Sequence, residues 1–90
     1  MKSYHVIITG RVQGVFFREY TRQKAMECCL TGWVRNLPDG TVECEVTGKS
    51  ENIKTLLDWF WTGSPLSGVT EVMFKEIPID TSPENFTIRR

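Results

Sequence analysis

The chain is organised around Gly10-Arg11-Val12-Gln13-Gly14-Val15-Phe16-Phe17-Arg18. Residues 4–8 before this stretch alternate like a strand, and residues 17–28 after it carry apolar side chains at helical spacing. A glycine-containing loop between a strand and a helix can direct successive backbone N–H groups at one anion. An arginine in the first helical turn adds a planar, bidentate donor for phosphoryl oxygens. The stretch therefore indicates a phosphate-binding loop, although its spacing fits an ordinary strand-to-helix turn with a solvent-facing Arg18 equally well.

Two further strands are predicted around a tight turn. Residues 31–36 and 41–47 have strand character, and the segment between them contains Leu37-Pro38-Asp39-Gly40. Proline presets φ, while aspartate and glycine accept the backbone conformations that close a hairpin. In the second strand of this hairpin apolar and polar residues alternate, which predicts one buried face and one wet face.

A second helix is predicted from apolar residues at positions i, i+3, i+4, i+7 and i+8, namely Ile53, Leu56, Leu57, Phe60 and Trp61. Ser50 is expected to cap the start of this helix, and Gly63 is expected to stop it. After the helix, the pattern predicts a strand at 69–77, a loop at 78–83 and a short last strand at 86–88.

The order β-α-β-β-α-β, with one short strand added at the end, predicts a single ferredoxin-like α+β domain over residues 1–90. We expect a mixed, mainly antiparallel sheet with both helices on one face. Right-handed crossovers make the first two strands parallel, with the third strand antiparallel between them. The loop after Gly10 and the end of the second strand at Asn36 then lie at one sheet edge, roughly 10 Å apart.

Composition restricts the class of protein. Eleven Lys and Arg residues balance eleven Asp and Glu residues, so no overall field favours nucleic acid or an anionic membrane. Cys28, Cys29 and Cys44 have neither zinc-ligand spacing nor an even count, which favours reduced thiols. No signal-peptide core or membrane-spanning run is present in the sequence. We expect a cytoplasmic monomer without cofactor or metal, and without nucleic-acid or membrane partners.

Two separated motifs carry a family resemblance. The first is the stretch 10–18, and the second is Gly32-Trp33-Val34-Arg35-Asn36, followed by Gly40, Val42 and Gly48. Together they resemble acylphosphatase over most of the chain, with the likeness fading after about Val72. The resemblance implies a ferredoxin-like fold and hydrolysis of the carboxyl–phosphate bond of a small acyl phosphate. It implies Arg18 and Asn36 as catalytic residues, and it places substrate binding on the loop amides of Arg11, Val12, Gln13, Gly14, Val15 and Phe16.

The chemistry of these side chains agrees with that implication. Phosphoryl transfer needs positioning and charge stabilisation more than covalent help, and Arg18 can hold the equatorial oxygens. Asn36 can orient a water for in-line attack but cannot act as a strong base. A carboxylate leaving group, whose acid has a pKa near ~4, departs without a proton. Inorganic phosphate is then both product and inhibitor. The Arg11 side chain fits the mouth of the loop or a solvated cation equally well.

Other polar residues are expected to have structural roles. His5 is the single histidine and lies within the first strand, away from its end. Arg35 points away from Asn36 by strand parity, so we do not expect it to bind substrate. Glu43 and Glu45 are predicted to form a solvated sheet face, and their charges argue against an RNA-binding domain of the same topology.

The sequence departs from the usual family pattern at three places. Cys29 stands where relatives commonly carry the glycine that ends the first helix, so a left-handed backbone there would strain it. Trp61 is apolar where the second helix usually turns polar, and the last segment lacks an aromatic residue upstream of Phe86. The alternative function is a non-catalytic phosphate- or anion-binding ferredoxin-like module, as occurs in larger carbamoyl-transfer proteins.

Overall fold

A computed structural model describes residues 1–79 and 84–90. Its elements are β1 (Lys2–Arg11), α1 (Phe17–Glu27), β2 (Thr31–Asn36), β3 (Val42–Gly48), α2 (Ser50–Phe60), β4 (Gly68–Ile77) and β5 (Phe86–Ile88). The order predicted from the sequence is confirmed, including the short last strand. Residues 80–83 of the expected loop lie outside the described residues. No helix in the described ranges is long and apolar enough to cross a membrane.

The five strands form one sheet in the order β4-β1-β3-β2-β5. β1 and β2 are each antiparallel to β3, so they run parallel to one another on either side of it. β4 is antiparallel to β1, and β5 is parallel to β2. This is the predicted ferredoxin-like α+β fold. It brings the end of β1 and the end of β2 to the same edge of the sheet.

The core lies between one face of the sheet and the two helices. The sheet contributes fully buried alternating side chains, including Val6, Ile8, Val34, Val42, Cys44 and Val46. The helices add Phe17, Ile53, Leu56 and Phe60, and the rings of Phe17 and Phe60 stack with their centroids 5.9 Å apart. Burying each large apolar side chain contributes about 1.5–3 kcal/mol. The first residue of α1 therefore anchors the helix immediately after the glycine loop.

Two details of α2 differ from the sequence predictions. Ser50 is the first helical residue and not the cap, which is Lys49 in an extended conformation. The hydroxyl of Ser50 makes no capping bond, and the backbone oxygen of Lys49 accepts from the N–H of Ile53 at 3.0 Å. The apolar stripe ends at Phe60, because Trp61 lies just past the helix and is 55% exposed.

The end of α1 confirms the expectation for Cys29, whose φ is +57°. The N–H of Leu30 donates to the oxygen of Ala25 at 2.9 Å, and that of Cys29 donates to Met26 at 3.1 Å. This pair of bonds is the Schellman arrangement that closes many helices, normally with glycine at the left-handed position. The side chain of Cys29 is exposed, so it gains little packing there.

Candidate active site

The loop between β1 and α1 has a constrained backbone. Gly14 has φ +73°, and Phe16, the residue that caps α1, has φ +61°. A non-glycine residue in this region is uncommon and is held there only by its surroundings. Val12 and Val15 supply that support, because their side chains are buried in the core while Phe16 is 74% exposed. The loop is therefore held in place by the burial of Val12 and Val15.

Two polar side chains tie the loop to other elements. Nε2 of Gln13 donates to the backbone oxygens of Leu37 at 2.8 Å and Thr41 at 2.9 Å, in the turn between β2 and β3. The hydroxyl of Ser64 donates to the backbone oxygen of Val15 at 2.7 Å, at a buried position. The loop and the hairpin that carries Asn36 are thus joined directly, which fixes the position of one part of the site relative to the other.

A run of backbone N–H groups around this loop has no protein acceptor. Among the described residues, no hydrogen bond uses the N–H groups of 12–16 or of the first three residues of α1. The first helical bond runs from the N–H of Tyr20 to the oxygen of Phe16 at 3.1 Å. Free donors at a loop and at a helix amino terminus, where the helix dipole is positive, favour an anion.

A cavity of about 300 Å³ opens beside these amides. Its lining comes from the loop, from α1, from the end of β2 and from β5, and consists of Val12, Gly14, Phe16, Phe17, Arg18, Glu19, Asn36 and Ile88. The fold therefore brings Arg18 and Asn36 to one cavity with three of the six loop residues named from the sequence. Arg11, Gln13 and Val15 lie outside this lining: the first is exposed at the end of β1, and the other two hold the loop in place.

The guanidinium of Arg18 contacts no carboxylate in the described part of the chain. Among the described residues its one polar contact is a bond from Nη1 to the backbone oxygen of Arg89, at 3.3 Å. The neighbouring carboxylate in the cavity lining, Glu19, is bound instead by Arg22, with Nη2 and Oε2 2.6 Å apart. Hydrogen bonds from Arg22 and Gln23 lower the pKa of Glu19 to about 2. The positive charge of Arg18 is therefore left for an anion, and Glu19 stays ionised at neutral pH.

Asn36 ends β2, paired with Val42 of β3. Its Oδ1 atom is buried and has no hydrogen-bond partner in the described part of the chain. Leaving a buried acceptor unsatisfied costs about 1–3 kcal/mol, so such atoms are uncommon in folded proteins; the hydroxyl of Thr21 in α1 is another in the described residues. Asn36 thus lines the same cavity as the charged donor of Arg18, and its Oδ1 is an acceptor without a partner in the described part of the chain.

The opposite face of the sheet holds the residues expected to be structural. Arg35 contacts Glu43, with Nε and Oε1 2.5 Å apart, and His5 contacts the same carboxylate through Nε2 at 2.7 Å. The prediction that Glu43 is solvated was wrong, since its side chain is only 15% exposed. Burial opposes ionisation of Glu43, but the hydrogen bonds from His5 and Arg35 outweigh it and hold its pKa below the usual range. None of these three residues lines the cavity.

In the described residues no three His, Cys, Asp or Glu side chains are grouped so as to hold a metal ion. The donors that the site offers are instead amides, one guanidinium and one carboxamide. Their arrangement suits a small anion with several oxygens, and a phosphoryl group has that form.

A comparison with known families agrees with this geometry. The model of the acylphosphatase family matches residues 4–88. The chain belongs to the acylphosphatase family. It is 44% identical to an acylphosphatase from Methylococcus capsulatus over 90 residues, which span 100% of this chain and 98% of that protein.

Solved structures of acylphosphatases have the same fold. The acylphosphatase of Coxiella burnetii superposes with a TM-score of 0.94 at 43% identity, covering 98% of this chain and 92% of that one. The acylphosphatase of Bacillus subtilis superposes with a TM-score of 0.96 at 34% identity, covering both chains completely. The likeness therefore continues beyond Val72, where the sequence motifs alone fade.

Sequence reasoning missed the part of this acylphosphatase-family site that comes from the carboxyl terminus. Ile88 lines the cavity and pairs with Val34 of β2, while the N–H of Arg89 donates to the oxygen of Val34 at 2.8 Å. The oxygen of Arg89 then accepts from Arg18. A strand of three residues has too weak a pattern to reveal which neighbour it pairs with.

Proposed function

We propose that this chain hydrolyses acyl phosphates to a carboxylate and inorganic phosphate. The observation that carries the proposal is the cavity in which an unpaired guanidinium, an unsatisfied amide oxygen and a run of free backbone N–H groups meet. Membership of the acylphosphatase family supports the substrate class. The roles of individual residues follow from the chemistry that each atom can perform.

The loop amides and Arg18 bind the phosphoryl group. The N–H groups of 12–16 supply neutral donors, and Arg18 supplies a planar charged fork that matches two phosphoryl oxygens. Because the loop is already held by Gln13 and Ser64, these donors are in place before substrate arrives. Preorganised donors stabilise the charge that develops in the transition state without reorganisation at the moment of reaction.

Asn36 positions the attacking water. Its Oδ1 accepts a hydrogen bond from the water, which then faces the phosphorus opposite the leaving carboxylate. The P–O bond to water forms as the P–O bond to the acyl oxygen breaks, and the bonding electrons leave with the carboxylate. The water's protons pass to solvent and to the product phosphate. An amide cannot remove a proton strongly, so positioning is the whole of its contribution.

The leaving group decides which phosphate compounds can react. A carboxylate is stable as an anion at neutral pH, whereas the alkoxide from an alkyl phosphate needs a proton as it departs. Among the described residues, Glu19 is the one carboxyl group in the cavity lining, and its pKa of about 2 keeps it ionised. It cannot supply that proton. We therefore expect acyl phosphates to be hydrolysed and alkyl phosphate monoesters to be left intact.

Free thiols support a cytoplasmic location for this activity. Cys28, Cys29 and Cys44 are all unpaired in the fold, and Cys44 is fully buried. Burial raises the pKa of the Cys44 thiol, which keeps it protonated and unreactive. Reduced cysteines are typical of the cytosol.

The test is release of phosphate from benzoyl phosphate, with an alkyl phosphate monoester as the control substrate. Turnover of the acyl phosphate alone is expected, with competitive inhibition by inorganic phosphate. A matched control variant is Asn52→Ala, since this asparagine lies on α2 and outside the cavity lining. Phosphate binding without turnover would show the alternative function, a non-catalytic anion-binding module. Equal turnover of both substrates would contradict the argument from the leaving group.

A further inference from the structure

The edge strand β4 has an exposed side that the described residues leave unpaired. In the sheet order it is the first strand, and β1 is its only neighbour among the described strands. It is ten residues long, and its side chains Met73 and Phe74 are 58% and 56% exposed. A long edge with unpaired backbone groups and exposed apolar side chains is a template for another strand.

An apolar groove runs beside this edge. It lies between β4 and α2, has a volume of about 480 Å³, and its apolar lining is Tyr4, Ile53, Leu57, Trp61, Val72 and Phe74. Trp61, which directly follows the last residue of α2, is exposed here. Phe74 contacts Tyr4 edge to face, with ring centroids 6.1 Å apart, so the groove reaches the outer strand. A large exposed apolar patch of this kind indicates an interaction surface.

The alternation of side chains on β4 identifies the partner. Glu71, Met73 and Lys75 lie opposite Thr9, Ile7 and His5 of β1, and these positions share the sheet face away from the helices. Val72 and Phe74 lie on the helix side, opposite Ile8 and Val6. On the face away from the helices, the side chains are therefore acidic at Glu71, apolar at Met73 and basic at Lys75. Two antiparallel copies of β4 centred on Met73 would therefore place opposite charges against each other.

We propose that two copies of this chain dimerise by antiparallel pairing of β4 with β4 across a twofold axis at Met73. In this register Lys75 of each copy faces Glu71 of the other on the open side of the sheet. On the helix side Phe74 faces Val72 twice, so the two apolar grooves become continuous. The pairing extends each five-stranded sheet into one sheet of ten strands. This proposal differs from the monomer that the sequence led us to expect.

Neighbouring registers lack this complementarity. Residues directly opposite each other in an antiparallel pair have side chains on the same face of the sheet. A twofold axis perpendicular to the sheet must therefore lie between the two copies of one residue of β4. An axis at Phe74 would set Lys75 against Met73, and an axis at Val72 would set Glu71 against Met73. Axes at Lys75 or Glu71 would place identical charges together, which destabilises a cross-strand pair. Within the described residues neither Glu71 nor Lys75 has an ion-pair partner in its own chain, so both are available.

The interface is short. The register between β1 and β4 shifts at Thr9 and Gly10, so regular pairing of β4 ends near Glu71. Five residues and the adjoining grooves bury less than the roughly 1,600 Å² of a standard stable interface. We therefore expect a weak dimer whose population rises with concentration, with a dissociation constant below about 1 mM.

Sedimentation equilibrium of the wild-type chain and its charge variants, up to about 1 mM protein, tests the proposal. Glu71→Lys sets two lysine pairs at the interface and should weaken dimerisation about tenfold or more. Lys75→Glu should do the same by setting two glutamate pairs there. The double variant Glu71→Lys with Lys75→Glu restores opposite charges and should return the dissociation constant to within about threefold of wild type.

The matched control is Glu27→Lys, which makes the same change of charge at an exposed position on α1. It should leave dimerisation unchanged. All four variants lie outside the cavity and should keep hydrolytic activity, which reports that they are folded. A wild-type chain that is monomeric throughout the concentration range would overturn the proposal. Failure of the double variant to recover dimerisation, when each single variant has lost it, would overturn the register.

Discussion

Arg18 and Asn36 line the same cavity, although the first lies in the opening turn of α1 and the second ends β2. The guanidinium has no carboxylate partner and the buried Oδ1 has no donor among the described residues. A charged donor and a free acceptor beside one anion-binding loop are the elements needed to bind a phosphoryl group and a water together. Substituting each residue separately distinguishes these two roles.

Substitution of Arg18 should remove most of the activity without unfolding the protein. We expect Arg18→Ala to lower kcat/KM by about a hundred- to a thousandfold, the usual effect of losing one transition-state donor. Arg18→Lys should also fail, because a point charge cannot replace the bidentate fork. Steady-state kinetics with benzoyl phosphate, with circular dichroism to confirm folding, decides this. Near wild-type turnover by the lysine variant would rule out the bidentate role.

Gln13 should affect both stability and activity, because its side chain holds the loop in position. Gln13→Ala removes the two bonds that join the loop to the hairpin behind Asn36. We expect a loss of about 1–3 kcal/mol of unfolding free energy, at roughly 0.5–1.5 kcal/mol per bond, and a lower kcat. The control is Gln23→Ala, whose side chain, within the described residues, hydrogen-bonds only to Glu19 on the helix surface. Urea denaturation and kinetics of both variants measure the effect. Equal behaviour of the two variants would show that the loop needs no such tie.

Glu19 should take no part in proton transfer. Because its pKa is lowered to about 2, it is ionised across the neutral and mildly acidic range. We expect Glu19→Gln to keep kcat within about twofold of wild type from pH 4 to 8, with an equal or lower KM, since a negative charge near the bound anion is removed. A pH–rate profile of both proteins is the measurement. A fall in activity with rising pH that is present in wild type and absent from the variant would make Glu19 a catalytic acid after all.

The same carboxylate should stabilise the fold at neutral pH and lose this effect in acid. Its folded-state pKa lies below the ordinary value of 4.5, so the contribution is present above pH 4.5 and is lost as pH falls toward 2. Below that range wild type and Glu19→Gln should converge in unfolding free energy. Denaturant titrations at several pH values would show this convergence.

Cys29→Gly should stabilise the protein. The left-handed backbone of Cys29 carries a Cβ penalty of order 1 kcal/mol, partly offset by the larger entropy of glycine in the unfolded chain. We expect a gain of a few tenths to about 1 kcal/mol with activity unchanged. Cys28→Gly is the control, because Cys28 has φ −87° and packs partly against the core, so glycine there relieves no backbone strain and should only destabilise. Urea midpoints at equal m-value measure both. A loss of stability in Cys29→Gly would mean that the thiol packs more than its exposure indicates.

Much of the fold could be predicted because local and global signals agree. Alternation in β1 and β3 and the Pro38-containing turn defined the hairpin and the topology, and the topology placed Asn36 beside the loop. Strand parity also separated Asn36 from Arg35 correctly. These conclusions depend on periodicity, which a single sequence contains.

The features that the sequence did not predict depend mostly on contacts between residues far apart along the chain. The contacts of Glu43 with His5 and Arg35 form only when β1, β2 and β3 are paired in register. Alternation within β3 alone therefore predicted a solvated Glu43. The bond from Arg18 to Arg89 depends on a short strand pairing with β2. The start of α2 at Ser50 was misjudged by one residue, since a serine is favoured both at the cap and in the first turn.

The most direct test of the account is the inhibition constant of inorganic phosphate for Asn36→Ala, measured together with kcat for benzoyl phosphate. If Asn36 only orients the water, kcat should fall by about a hundredfold or more while the inhibition constant stays within about twofold of wild type. Asn52→Ala should change neither value. A large rise in the inhibition constant of Asn36→Ala would contradict the account, because it would make Asn36 a ligand of the phosphoryl group.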